Sequence, residues 1–168
     1  MKLYIIRHAI AVDEGTPEYE QDGDRPLTDK GRKKMRQIAK GLRALGVEFD
    51  RILSSPYVRA SETADILADV FKMKKKIAYS ENLIPMGEPD LLIAEINENH
   101  AVDSLALVGH EPNLSGLVGL LTAEGTKLDI TIKKGGVCQL SADDLRQERR
   151  ASLDWLLTPG ILVEIAEK

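Results

Sequence analysis

Three short segments carry residue types that can act together on an anion: Arg7-His8, Ser54-Ser55 running into Arg59, and Gly109-His110. An imidazole is a nucleophile only when neutral, and a negatively charged substrate repels its lone pair unless cations offset that charge. Two arginines offer planar forks matched to anionic oxygens, and a second histidine adds a donor where charge develops. Each residue alone has an ordinary reading. Arg59 by itself reads as a surface arginine pairing with Glu62 or Asp65, and a histidine after a strand is commonly a surface residue. The argument is convergence, and convergence depends on the elements that carry these residues.

Leu3 to Ile6 is a continuous apolar run of strand formers, as expected of a strand covered on both faces, with Arg7-His8 at its end. Neighbours on a continuing strand point to opposite faces, so a pair that acts together belongs where the strand stops. Thr28 is expected to cap a helix that buries Met35, Ile38, Ala39, Leu42 and Leu45 and stops at Gly46. Arg51-Ile52-Leu53 reads as a second strand. Ser55 is then the expected N-cap and Pro56 the first residue of a helix burying Ala60, Ala64, Leu67 and Phe71, with Arg59 one turn in. A weaker strand lies around Ile77 and Ala78, and Glu88-Pro89 opens a helix with Leu92, Ile93 and Ile96 inside. Leu105 to Val108 is a further strand ending at Gly109-His110. Glu111-Pro112 opens a helix with Leu114, Leu117, Val118 and Leu121 on its apolar face. Past Gly135-Gly136, Val137 to Leu140 and Ala151 to Leu157 read as two strands joined by a charged stretch around Asp143 to Arg150, with Trp155 in the core; Pro159 opens a last helix.

This alternation predicts one domain over residues 1–168, a three-layer α/β/α sandwich with a mostly parallel central sheet and antiparallel strands near the C-terminus. Ligands in such sheets sit beyond the carboxyl ends of the strands, and the polar stretch from Asp13 to Arg25 is expected to loop over that edge.

The 168 residues have a net charge of −4, which argues against a general nucleic-acid or membrane-surface binder. The one basic run, Lys72 to Lys76, reads as a solvated helix end. Cys138 stands alone, so neither a disulfide framework nor a cysteine zinc site is expected. His8, His100 and His110 lack the spacing of a histidine metal motif, and His100 reads as solvent-facing at a helix end. The apolar stretch after Met1 is too short for a signal peptide or a span, which makes the cytoplasm the expected location.

Ile6-Arg7-His8-Ala9 resembles the Arg-His-Gly/Ala signature of the histidine phosphatase superfamily. The run from Ser54 through Arg59 to Ala64 resembles its second-arginine segment, and Val108-Gly109-His110-Glu111 its second-histidine segment. Asp24-Arg25-Pro26-Leu27-Thr28-Asp29-Lys30-Gly31 and Gly109-His110-Glu111-Pro112-Asn113-Leu114 look most like the SixA-type phosphohistidine phosphatases. The resemblance implies a phosphoglycerate mutase-like fold and a metal-free, cofactor-free phosphatase. His8 would become phosphohistidine and then yield phosphate to water, while Arg7, Arg59 and His110, as imidazolium, hold the phosphoryl oxygens. It also implies a phosphorylated substrate, either a small phosphorylated compound or a protein such as the phosphohistidine domain of a histidine kinase. A module that binds phosphate or protein without turnover is the non-enzyme alternative.

Three further residues are candidate substrate contacts, each with a plainer role. Arg25 would otherwise pair with Asp22 or Asp24, Ser61 would bond only its own helix, and Asn113 would cap a turn. The sequence departs from the wider family at one point: many members place a proton-donating Glu soon after the third strand, where this chain reads Leu83-Ile84-Pro85-Met86-Gly87. Glu81 and Glu88 flank the position.

Overall fold

The computed structural model describes residues 1–123, 128–143, 145 and 150–168. Among them six strands form one sheet: β1 (Lys2–Arg7), β2 (Arg51–Ser54), β3 (Ile77–Tyr79), β4 (Ser104–Gly109), β5 (Val137–Ser141) and β6 (Ser152–Leu157). Their order is β3-β2-β4-β1-β5-β6, with β1 to β4 parallel, β5 antiparallel to β1, and β6 antiparallel to β5. Five α-helices accompany them: α1 (Asp29–Ala44), α2 (Val58–Val70), α3 (Pro89–Asn99), α4 (Asn113–Thr122) and α5 (Pro159–Ala166).

The central strands are buried on both sides, which is why they read as unbroken apolar runs. Tyr4, Ile6, Ile52, Ala106, Val108 and Val137 pack under α1, α2 and α5, with Met35, Ile38, Leu42, Ala64, Leu67 and Leu162. Leu3, Ile5, Leu53, Leu105, Leu107 and Cys138 pack under α3 and α4, with Leu92, Ile96, Leu114 and Leu117. Three layers result. Thr28 caps α1 by accepting from the Gly31 N–H at 3.0 Å, and Gly46, at φ +74, lets the chain turn away as expected.

Several local expectations need correction. Ser55 does not cap α2, which begins at Val58, because its hydroxyl faces the Tyr57 N–H at 3.2 Å and His110 at 2.9 Å instead. Helix α4 begins at Asn113, one residue past Pro112. His100 does end α3, but its side chain is only 11% exposed, held between Arg51 at 2.9 Å and Glu95 at 3.7 Å. Trp155 is half-buried against the core, since β6 is an edge strand with Leu153 and Leu156 open to solvent. Lys72, Lys74, Lys75 and Lys76 are solvated as expected, around a buried Met73, but Lys74–Lys76 form a separate 3-10 turn rather than a helix end. Most of the charged stretch from Asp143 to Arg150 lies outside the described residues.

Candidate active site

The parallel strands deliver their ends to one edge. Arg7 lies opposite Gly109, and Ser54 opposite Val108, so Arg7-His8, Ser55 and His110 leave the sheet side by side. The backbone fixes them there: the His8 N–H donates to the Gly109 carbonyl at 3.0 Å, and the Arg7 N–H to the Gly136 carbonyl at 3.2 Å. Gly135, at φ +78, brings its own N–H within 3.1 Å of both the Arg7 and His8 carbonyls. From α2, the Thr63 hydroxyl accepts from the Ala9 N–H at 3.1 Å and donates to the Arg59 carbonyl at 2.7 Å. The His8 and His110 rings stand 5.0 Å apart.

Each of the four side chains has one edge tied to the protein and one edge free. His8 Nδ1 lies 2.7 Å from the Ala9 carbonyl, which only accepts, so Nδ1 carries the hydrogen and Nε2 the lone pair. Arg7 donates from Nη1 to the Ile132 carbonyl at 2.9 Å. Arg59 donates from Nη1 to the Asp22 carbonyl and from Nη2 to the Asp22 carboxylate at 2.7 Å. The Ser55 hydroxyl accepts from the Tyr57 N–H at 3.2 Å and lies 2.9 Å from His110 Nε2; when it gives its own hydrogen to Nε2, His110 Nδ1 carries the ring hydrogen. Arg7 Nε, Arg59 Nε and His110 Nδ1 are then buried donors with no partner among the described residues. Buried donors are rarely left unpaired, and three at one site can seat an anion.

Burial and the neighbouring cations favour the neutral form of both imidazoles. Burial pushes His8 down to about 3; the bond to Ala9 opposes this, and the charges of Arg59, Arg7 and Lys134 reinforce it. Burial likewise takes His110 down to about 2, with help from His8, Arg59 and Arg7 against Asp22. Without a neighbouring anion His110 thus favours its neutral form, which donates through Nδ1 when Nε2 accepts from Ser55; an anion against it would favour the imidazolium. Burial also lowers Arg7, with Glu111 opposing.

Arg7, His8, Arg59 and His110 are thus brought together, and the other candidates are not. Arg25 stands one step back, donating to the Asp22 carboxylate and to the Val12 carbonyl. Ser61 donates to the Val58 carbonyl of its own helix at 3.0 Å. Asn113 clamps a turn, its Nδ2 donating to the Asn82 and Ile84 carbonyls at 2.8 Å each, while its Oδ1 is buried without a partner among the described residues. Glu81 and Glu88 are both exposed. Glu62 faces Arg32 at 2.7 and 2.8 Å, not Arg59. The supporting roles of Thr63 and Ser55 were missed from sequence; the only local signals are Thr63 one turn after Arg59 and Ser55 at the strand end. No group of three or more His, Cys, Asp or Glu among the described residues could hold a metal ion, and no helix there is long and apolar enough to cross a membrane.

A protein from Picosynechococcus with no assigned function is 35% identical over 148 residues, 87% of this chain and 88% of that one. The phosphohistidine phosphatase SixA of Escherichia coli K12 is 32% identical over 126 residues, 74% of this chain and 73% of that protein. The solved structure of the protein histidine phosphatase SixA complexed with tungstate superposes with a TM-score of 0.81 at 26% identity, covering 96% of this chain and 99% of that one. The profile of the histidine phosphatase superfamily (branch 1) matches residues 3–114, a span that holds all four tied-and-free side chains, and the chain belongs to that superfamily.

Proposed function

We propose that this phosphatase hydrolyses phosphohistidine through a phosphorylated His8, with residues 1–168 acting as one domain. The neutral Nε2 of His8 attacks phosphorus, and the bond from phosphorus to the leaving nitrogen breaks. Arg7 Nε, Arg59 Nε and His110 Nδ1 take the phosphoryl oxygens as their charge redistributes. A phosphorylated imidazole that has taken a solvent proton on its second nitrogen leaves as neutral imidazole. Phospho-His8 keeps its Nδ1 hydrogen on the Ala9 carbonyl, so water displaces Nε2 in the same way and carries its proton off with phosphate.

The observation that carries this reading is the turn after β3. Asn113 pins its carbonyls at Asn82 and Ile84, and a Cβ on Gly87 would stand 2.2 Å from the Asn82 oxygen, so that position takes no side chain. Residues 83 to 87 bring no carboxylic acid to the leaving group. General acid catalysis supplies about a hundred- to ten-thousandfold, which alkoxides need and imidazole does not. The similarity to a protein histidine phosphatase supports a phosphorylated protein as substrate, which we take to be a phosphohistidine domain of a histidine kinase in the cytoplasm; Arg25 and Asn113 act on it by holding the loop and the turn.

The test is kcat/KM against leaving-group pKa over phosphohistidine, phosphoramidate, aryl phosphates and alkyl phosphates. A steep negative slope is expected. A flat slope that Glu81→Gln or Glu88→Gln makes steep would replace this reading with a phosphomonoesterase carrying its own acid. EDTA should leave the rates unchanged and tungstate should inhibit competitively.

A further inference from the structure

Arg59 is 3% exposed, and its surroundings fix the guanidinium from three directions. The Tyr57 ring covers one face, with the guanidinium carbon 5.1 Å from the ring centre. Asp22 takes both terminal nitrogens, one on its backbone oxygen and one on its carboxylate. The Nε–H has no partner among the described residues, and it is the one nitrogen of the group left wholly to a ligand, the terminal nitrogens each being held by Asp22.

Asp22 is itself held in place. Arg25 donates to the same carboxylate from Nε and Nη2 and anchors itself on the Val12 carbonyl. Gly23 lies against the Tyr57 ring, where a Cβ would be 3.4 Å from the ring carbons. The 3-10 turn Asp22–Asp24 is thereby docked on α2 beside the site, although its residues are largely exposed.

From this geometry we infer that Asp22 is the positioning residue of the anion site: it turns Arg59 so that Nε faces the phosphoryl group, and through Arg25 it makes that orientation depend on the docked loop. The inference rests on the anion-seat reading of Arg59 and deepens it. A carboxylate near an incoming dianion also repels it, so two effects of opposite sign compete. Orientation prevails when the carboxylate is spread over two arginines and 40% exposed, because solvent and both guanidinium groups screen the repulsion. Misplacing a catalytic group by about 1 Å costs on the order of a hundredfold.

A double-mutant cycle separates this role from the alternatives. Tungstate binding is measured by calorimetry, and phosphoramidate turnover in parallel, for the wild type, D22A, D22N, R59A and D22A/R59A. D22A should weaken tungstate binding and kcat/KM by roughly ten- to a hundredfold. D22N should recover most of the loss, since its backbone carbonyl and amide oxygen still accept from Arg59. In the R59A background, D22A should change either quantity by less than about twofold. An independent loss in that background would show that Asp22 acts on its own, as a substrate contact or a general structural support. Tighter tungstate binding in D22A would show it to be a competitor of the anion. An unchanged D22A would remove any role, and each of these results overturns the inference. Tungstate binding does not require turnover, so a wild type that binds tungstate but spares phosphohistidine and phosphoramidate would refute the proposed function and leave Asp22 testable.

Discussion

Each nitrogen assigned to the phosphoryl group in the proposed mechanism belongs to a side chain held by a bond at another of its atoms, and that division makes single substitutions informative. His110→Ala removes the Nδ1 donor and should cost about 3 to 4 kcal/mol of transition-state stabilisation, roughly a hundred- to a thousandfold in kcat. Arg7→Ala and Arg59→Ala should cost similar amounts singly and less than the product together, because both grip one phosphoryl group. His8→Ala should abolish turnover with little change in Tm, since His8 belongs to neither apolar cluster. Alkaline quenching should trap phosphorus on His8, and acid should release it; a folded His8→Ala that keeps wild-type turnover would sink the mechanism. The sequence disclosed Arg7, His8 and His110 because they stand at strand ends, and Arg59 because it lies in the first turn of the helix that follows one, which are local properties. It did not disclose which atoms are free. That depends on Ile132, 125 positions from Arg7, and Asp22, 37 positions from Arg59, which no periodicity connects.

Among the elements, α1 shows a rule inverted by packing. Gly→Ala inside an exposed helix ordinarily stabilises by about 1 kcal/mol. Gly41, however, faces α5 so closely that a Cβ would lie 2.0 Å from the Leu162 oxygen, and Gly31 stands in the same relation to the Ile10 oxygen. Gly41→Ala should therefore lower stability by about 1 to 3 kcal/mol, the usual cost of overpacking, and leave kcat intact. Gly31→Ala should also lower kcat, because Ile10 lies two residues past His8. Urea midpoints and rates measured well below Tm would distinguish the two, and a Gly41→Ala more stable than wild type would show that the helices cross less closely than described. From sequence these glycines are only weak points in a helix. The central strands were legible because both faces are covered and their composition reports it. Helix starts were not legible where function claimed the capping group: Ser55 and Pro56 read as cap and first residue, yet the Ser55 hydroxyl serves His110 and α2 begins at Val58. The half-buried Trp155 was misread for another reason, since apolar alternation cannot tell an edge strand from a central one.

For the molecule as a whole, the buried imidazoles set how stability depends on pH. In the unfolded chain each histidine takes up a proton near pH 6.5, whereas in the folded protein His8 does so only near 3 and His110 near 2. As pH falls through this interval the unfolded state binds up to two more protons than the folded state, so stability is fully present above about 6.5 and declines below it. Each histidine removes about 1.4 kcal/mol per pH unit, or about 2 kcal/mol between pH 7 and 5. His100, lowered by burial and by Arg51, adds in the same direction. Asp22 does not interfere in that window. Burial raises its pKa, but the bonds and charges of Arg25 and Arg59 outweigh burial and hold it below the usual range, so its contribution is lost only below about pH 4. Against a typical total of about 5 to 15 kcal/mol, such a decline is large. Activity at low pH should accordingly fail by unfolding before His8 is protonated. Urea midpoints at pH 7, 6 and 5 should fall steadily, and His8→Asn or His110→Asn should each flatten the slope by about one proton. Tungstate, by supplying the missing counter-charge beside His110, should raise its pKa, bind with proton uptake, and protect more strongly at pH 5 than at pH 7. A midpoint flat from pH 7 to 5, or a slope that neither substitution changes, would mean that the two rings titrate in the native state much as they do in the unfolded chain, and burial would not be what keeps His8 neutral.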